Sequence, residues 1–154
     1  MTPDNSELWF LPLGGCGEIG MNLNLFGHDG HWLMVDCGVT FEQGARGNRV
    51  QMPDPDFIAQ HCDKLVGLIA THAHQDHIGA IHLLWQHFKC PIYATQFTAH
   101  VVQTKLRREG CAAPVIVVDQ NAVQQLGPFT VRWLPITHST AETSALLIDT
   151  SAGS

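Results

Sequence analysis

Basic residues are scarce in this chain: Lys and Arg total 8 against 14 Asp and Glu, a net charge of −6. That balance has the wrong sign for a surface that grips a phosphate backbone unaided, so composition gives no support to nucleic-acid binding. The one basic cluster, Lys105-Leu106-Arg107-Arg108, reads as the solvated face of a helix. Apolar runs of membrane-spanning length are absent, as are low-complexity stretches and sustained repeats. The five cysteines, at 16, 37, 62, 90 and 111, contain no C-x-x-C pair. Their odd count, with no secretory leader at Met1-Thr2-Pro3-Asp4, excludes a disulfide framework and points to a reducing cytoplasm. What is present is enough apolar content, 45% of 154 residues, to build the core of one domain.

Against that background, Thr71-His72-Ala73-His74-Gln75-Asp76-His77 places three imidazoles and a carboxylate between positions 72 and 77. Imidazole nitrogen and carboxylate oxygen are natural ligands of zinc and related divalent ions, and a catalytic zinc keeps about three protein ligands so that one position stays open. Four donors in one loop exceed what one such ion needs, so the count favours two metals. The apolar run Leu65-Val66-Gly67-Leu68-Ile69-Ala70 before the motif reads as a buried strand. Ile78, Ala80, Ile81, Leu84, Trp85 and Phe88 after it fall close to helical spacing. The motif is therefore predicted on a turn from a strand into a helix, where loops held by a rigid scaffold commonly carry chemistry. Asp76 alone would serve as a helix N-cap, but capping needs no triple histidine.

A second segment repeats this arrangement. Val131-Arg132-Trp133-Leu134-Pro135-Ile136 alternates like a strand, with Pro135 marking an edge or an end, and runs into Thr137-His138-Ser139. His138 by itself is an ordinary strand-end histidine; paired with the first motif it becomes the candidate missing ligand. His28, His31, His61, His82, His87 and His100 have no ligand-like arrangement.

Gly15-Cys16-Gly17-Glu18-Ile19-Gly20 fits G-x-G-x-x-G with Asp36 downstream, the fingerprint of a dinucleotide fold. That fingerprint requires a helix after the glycines. Instead, Met21-Asn22-Leu23-Asn24-Leu25-Phe26 alternates with period two, and His28-Asp29-Gly30 turns into Trp32-Leu33-Met34-Val35, which reads as a hairpin. The remaining pattern predicts a strand at 92–94, a helix over about 96–109, and strands near 115–118, 122–126, 129–136 and 144–149. Thr40 to Asp56, punctuated by Gly44, Gly47, Pro53 and Pro55, reads as a mobile loop. Alternating strands and helices make the fold class α/β, with one mixed β-sheet and helices on one face.

His-x-His-x-Asp-His after an apolar strand, followed by Gly79 and a later Thr-His strand end, resembles the metallo-β-lactamase superfamily. Leu13-Gly14-Gly15-Cys16-Gly17-Glu18-Ile19-Gly20-Met21-Asn22, Val35-Asp36-Cys37-Gly38, Met52-Pro53-Asp54, Pro91-Ile92-Tyr93-Ala94-Thr95 and Thr137-His138-Ser139 narrow the match. In that order they are similar to the opening part of ribonuclease J-type enzymes of the β-CASP group, from Leu11 to about Thr150. The resemblance implies the N-terminal half of an αββα sandwich. It also implies a metal-dependent hydrolase, an RNA phosphodiesterase of 5′-to-3′ exonuclease or endonuclease type that uses water activated by two divalent ions, zinc or manganese. His72, His74 and His138 match the ligands of the first metal, and Asp76 and His77 those of the second. Asp76 is assigned the further catalytic role of orienting the water. Asp36 matches an aspartate that supports the metal loop from behind; closing a strand into the Gly38 turn is an equal role for it. The glycine-rich loop is expected near the metals or as an ordinary turn.

In that family an aspartate bridging the metals follows shortly after the strand represented here by Ser144 to Asp149, and the sequence ends before it. Residues 1–154 are therefore expected to be the N-terminal portion of a metallo-β-lactamase-like domain, without the remainder of that domain, the β-CASP insertion or the C-terminal domain. The second metal site is then incomplete, and the piece is inactive alone. An open inner sheet face is expected to make it self-associate or swap elements. Single-stranded RNA is the implied partner of the full-length enzyme, with no membrane. A small-molecule hydrolase of thioesterase or lactonase type and a non-catalytic metal-binding lobe are the competing readings.

Overall fold

The computed structural model describes residues 2–44 and 47–154. Its first strand, β1 (Trp9–Gly14), has no clear signature in the sequence because Pro12 interrupts the run. It pairs antiparallel with β2 (Leu23–His28) at the edge of the main sheet, a position that tolerates a residue with no N–H. β2 returns through Asp29 and Gly30 into β3 (His31–Val35), and their φ angles of 46° and 71° are those of a type I′ turn. The predicted hairpin is present, beginning at Leu23 rather than Met21.

The stretch from Thr40 to Asp56 differs from the loop expected there. β4 (Thr40–Gly44) and β5 (Gly47–Gln51) pair antiparallel with Phe41 opposite Val50, and a single turn, α1 (Asp56–Ala59), follows. The glycines and prolines that read as breakers sit at the ends of these short strands or just beyond them, so they mark boundaries. Positions 45 and 46, part of the same expectation, lie outside the described residues.

β6 (Leu65–Ile69) lies parallel to β3, and the histidine motif then leads into α2 (Gln75–Ile78) and α3 (Ile81–Phe88). β7 (Ile92–Thr95), α4 (Gln96–Arg108) and β8 (Val115–Val118) complete the first layer pair. The main sheet has the order β1-β2-β3-β6-β7-β8, antiparallel up to β3 and parallel beyond it. This is the expected mixed sheet with helices on one face.

Alternation along the strands gives the sheet two apolar faces. Leu25, Trp32, Met34, Leu68 and Ile92 join a core closed by Ile78, Ile81, Leu84, Phe88, Val102 and Leu106 of the helices. Leu33, Ile69 and Tyr93 belong to a second core. Here the single-sheet expectation is corrected. β9 (Val123–Leu126), β10 (Phe129–Pro135) and β11 (Ser144–Asp149) form a separate antiparallel sheet, ordered β11-β10-β9, and lay Leu126, Phe129, Val131 and Trp133 on that second face. Parallel strands are stable when both faces are covered, and the second sheet covers the middle of the inner face, leaving Phe10 of β1 and Ile116 of β8 exposed at its two edges. The leftover apolar surface includes Val123, Leu134 and Leu147 of the second sheet, all exposed. Among the described residues no helix is long and apolar enough to cross a membrane.

Trp133 is fully buried between the sheets. Trp133→Ala should lower the unfolding free energy by about 3–5 kcal/mol in urea titration, whereas Ala at the exposed neighbour Arg132 should change it by no more than about 0.5 kcal/mol.

Candidate metal centre

β3 and β6 run side by side, Val35 opposite Ile69, so Asp36 and Thr71 emerge close together at one end of the sheet. Asp36 has φ 62°, a left-handed conformation that Asp tolerates better than most side chains. Its N–H donates to Ile69 O at 2.8 Å, and its buried carboxylate reaches Thr71. Oδ1 accepts the Thr71 N–H at 2.9 Å, and both oxygens lie 3.0 Å from the Thr71 hydroxyl. Oδ2 also meets Nδ1 of His77 at 2.7 Å. Strand closure and contact with the metal motif, read from the sequence as alternatives, coexist in this residue.

The motif is held from its other side by backbone. The N–H and side-chain amide of Asn22 donate to Asp76 O at 2.9 and 3.0 Å, and Cys37 N–H donates to His77 O at 2.7 Å. Val39 N–H donates to Gln75 O at 3.0 Å. Gly38 lies flat against this segment, and a β-carbon there would overlap the Asp76 carbonyl. From α4, the ammonium of Lys105 donates to Gln75 Oε1 at 2.9 Å and to Gly79 O at 3.1 Å, while burial holds its pKa below the usual lysine range. Lys105 is thus half-buried and committed to the motif, unlike exposed Arg107 and Arg108 with which it was grouped as a solvated face.

His138 arrives from the second sheet. Ser144 N–H donates to Thr71 O at 3.2 Å, joining the start of β11 to the motif. Glu142 accepts the Phe97 N–H at 2.7 Å, satisfying a helix-start donor of α4 that Thr95 leaves without a side-chain cap. These bonds seat the turn between β10 and β11 against the first layer.

Nε2 of His72 and Nε2 of His138 lie 3.1 and 3.2 Å from Nδ1 of His74, and the three residues each offer a ligand nitrogen within 4.8 Å of the other two. Nitrogens bound at ~2.0–2.1 Å to one tetrahedral ion stand roughly 3.4 Å apart, so this triad fits a divalent ion with little rearrangement. The outer nitrogens are also engaged. His72 Nδ1 lies 2.9 Å from Thr71 Oγ1 and His74 Nε2 lies 3.3 Å from Ser139 Oγ, contacts that fix ring orientation. Because the Thr71 hydroxyl donates to Asp36, it accepts from His72, which leaves the His72 Nε2 lone pair facing the triad. Burial, with His77, His74 and His138 nearby, lowers the His72 pKa to about 4 and keeps it neutral at pH 7, the form that binds metal. For His77 burial pulls down, but the Asp36 hydrogen bond and the Asp36 and Asp76 charges raise its pKa.

Asp76 Oδ2 and His77 Nε2 lie 3.4 Å apart, and the His77 ring centroid is 4.0 Å from that of His72. The structure therefore brings together His72, His74, Asp76, His77 and His138, with Asp36 behind them. Among the described residues only His72, His74 and His138 form a group of three potential ligands, and none of the other histidines joins one. A cleft of about 390 Å³ opens over the site, lined by Asp36, Thr71, His72, His77, Ile136 and His138 among others.

A two-sheet α/β sandwich with this histidine cluster at the strand ends defines a class: the chain belongs to the metallo-beta-lactamase superfamily, whose family model matches residues 20–153. Within that class it is 42% identical to ribonuclease J of Sinorhizobium meliloti, over 97% of this chain and 28% of that protein. It is 35% identical to ribonuclease J of Helicobacter pylori, over 92% of this chain and 21% of that protein. The chain thus spans roughly a quarter of the length of these curated relatives. Among solved structures, the metallo-beta-lactamase fold protein YhfI from Bacillus subtilis aligns with a TM-score of 0.62 at 21% identity, covering 90% of this chain and 56% of that one. Rm3 metallo-beta-lactamase aligns with a TM-score of 0.67 at 12% identity, covering 97% of this chain and 57% of that one. These two likenesses concern the fold.

The His72 shift predicts a pH dependence of the metal-free chain. His72 titrates near 6.5 when unfolded and near 4 when folded, so between those values the unfolded chain binds more protons and stability falls as pH drops. His77, with its raised pKa, acts in the opposite sense and is present in both the wild type and the variant. Urea midpoints at pH 7 and pH 5 should therefore differ more in the wild type than in His72→Gln; equal differences would contradict the assignment.

Proposed function

We propose that this chain is the metal-binding lobe of a ribonuclease J-like RNA phosphodiesterase. The observation that carries this reading is the convergence of His72 Nε2, His74 Nδ1 and His138 Nε2 from two strand ends, beside Asp76 and His77. Its support is the high coverage of this chain by relatives named ribonuclease J. His72, His74 and His138 hold a first divalent ion; Asp76 and His77 contribute to a second, completed by ligands outside this chain. Three imidazoles suit zinc, with manganese as the alternative. Divalent ions at such a site lower the pKa of water and stabilise charge on a phosphoryl group.

The chain's own residues set the geometry. Asp36 keeps Nδ1 of His77 occupied, which leaves Nε2 with the lone pair that would hold an ion. Asp76 turns Oδ2 toward His77, and its other oxygen orients the attacking water. The substrate is single-stranded RNA, cleaved as a 5′-to-3′ exonuclease or an endonuclease by the longer protein, which carries the remainder of the domain, a β-CASP insertion and a C-terminal domain. Five free cysteines suit a reducing cytoplasm. The lobe alone self-associates through the outer face of its second sheet, at Val123, Leu134 and Leu147.

Elemental analysis of protein purified without added metal tests the centre. At least one ion per wild-type chain and none in His74→Ala is expected; an empty wild type removes the metal assignment. In the longer protein, metal-dependent cleavage of single-stranded RNA should be lost in Asp76→Asn. Turnover of a small thioester with RNA untouched would replace this reading with the small-molecule one. In sedimentation the lobe should run as dimers or larger species, shifted to monomer by Leu134→Glu; a monomeric wild type rules out the association.

A further inference from the structure

A second cleft, of about 320 Å³, meets the metal motif at Asp76 and is lined by Ile19, Gly20, Val39, Thr40, Phe41, Gln75 and Asp76. Ile19 is 95% exposed and Phe41 56% exposed. Single exposed apolar residues need no explanation, but these two are fastened together. Thr40 Oγ1 donates to Ile19 O at 3.3 Å, Met21 N–H donates to Val39 O at 3.2 Å, and Gly38 N–H donates to Asn22 O at 2.9 Å. The end of the glycine-rich loop and the start of β4 therefore run as a hydrogen-bonded ribbon. Gly20, at φ 107°, permits the close approach, since a β-carbon there would collide with Thr40. Asn22 in turn is bonded to the Asp76 carbonyl, so the ribbon carrying Ile19 and Phe41 is tied to the residue assigned to orient the water.

The composition of this cleft selects its occupant. It contains no Lys or Arg, and Asp76 is its single charged group. Such a lining repels a phosphate and suits a flat, uncharged, polarisable group. We propose that Ile19 and Phe41 form a stacking shelf for a nucleobase flanking the phosphodiester that reaches Asp76. The shelf rests on the RNA reading above and extends it. Every base presents a π-face, so stacking on an aromatic side chain tolerates any sequence. It also gives an acidic chain a hold on RNA that does not depend on basic residues, so the contribution of the shelf is insensitive to salt.

The test uses the zinc-loaded chain with two labelled single-stranded oligoribonucleotides of equal length, one complete and one abasic at every position, in fluorescence anisotropy. The wild type should bind the complete oligomer about tenfold more tightly than the abasic one. The double variant Ile19→Ala, Phe41→Ala should lose that preference while keeping its zinc content and its affinity for the abasic oligomer; Phe41→Trp should keep the preference. Both substituted side chains are exposed, and an unchanged urea midpoint verifies that the double variant is folded. Equal wild-type binding of the two oligomers, or a preference that survives in the double variant, overturns the shelf and leaves the RNA reading standing. Binding of neither oligomer by the wild type overturns the shelf, while the RNA reading is decided by the cleavage assay on the longer protein.

Discussion

The buried carboxylate of Asp36 is the point on which the order of the site depends. A buried anion is costly unless its lone pairs are used, and here they accept from the Thr71 backbone, the Thr71 hydroxyl and the His77 ring. Through Thr71 the carboxylate sets which nitrogen of His72 faces the cluster, and directly it sets the same for His77. One side chain at the end of β3 thereby converts the parallel pairing of β3 with β6 into the orientation of two imidazoles. Its left-handed backbone is what lets it do so, because an extended Asp36 would continue the strand instead of closing on Thr71.

Around that carboxylate the motif is gripped on three sides. Gly38 and Asn22 press on the Asp76 and His77 peptide, Lys105 reaches in from α4, and the β10–β11 turn closes over it with Glu142 on the start of α4. Burial and the neighbouring rings disfavour a proton on His72, and a loose loop would let the donors drift apart. The rigid surround keeps the donors converged before any ion arrives, which lowers the reorganisation that binding requires.

The legible parts of the sequence were those governed by local chemistry or local period. Donor type restricts a metal loop to a few residue kinds, so His72, His74, Asp76 and His77 stand out at sight, and period-two alternation announces the β2–β3 hairpin. β1 is obscured by Pro12, and the β4–β5 pair by the glycines and prolines that bound it. Strands 123–126, 129–135 and 144–149 were visible as strands, but alternation does not say which sheet a strand joins. That choice is made by Phe129 and Trp133 meeting Leu33 and Ile69 across the sandwich, a contact without local signature. Lys105 and Glu142 act on groups 30 and 45 positions away, so nothing near them in the chain reveals the task.

His74 and His138 are separated by 64 positions, and they meet only once the second sheet lies on the first. Contacts between such distant positions form late, because the chain must surrender most of its freedom before they return any gain. An ion that needs all three imidazoles therefore discriminates between the docked sandwich and every looser compact state. Its binding free energy accrues to the final architecture alone. A divalent ion held by all three imidazoles would act as a latch, adding its binding free energy to a sandwich that the core of Leu33, Ile69, Phe129 and Trp133 already joins.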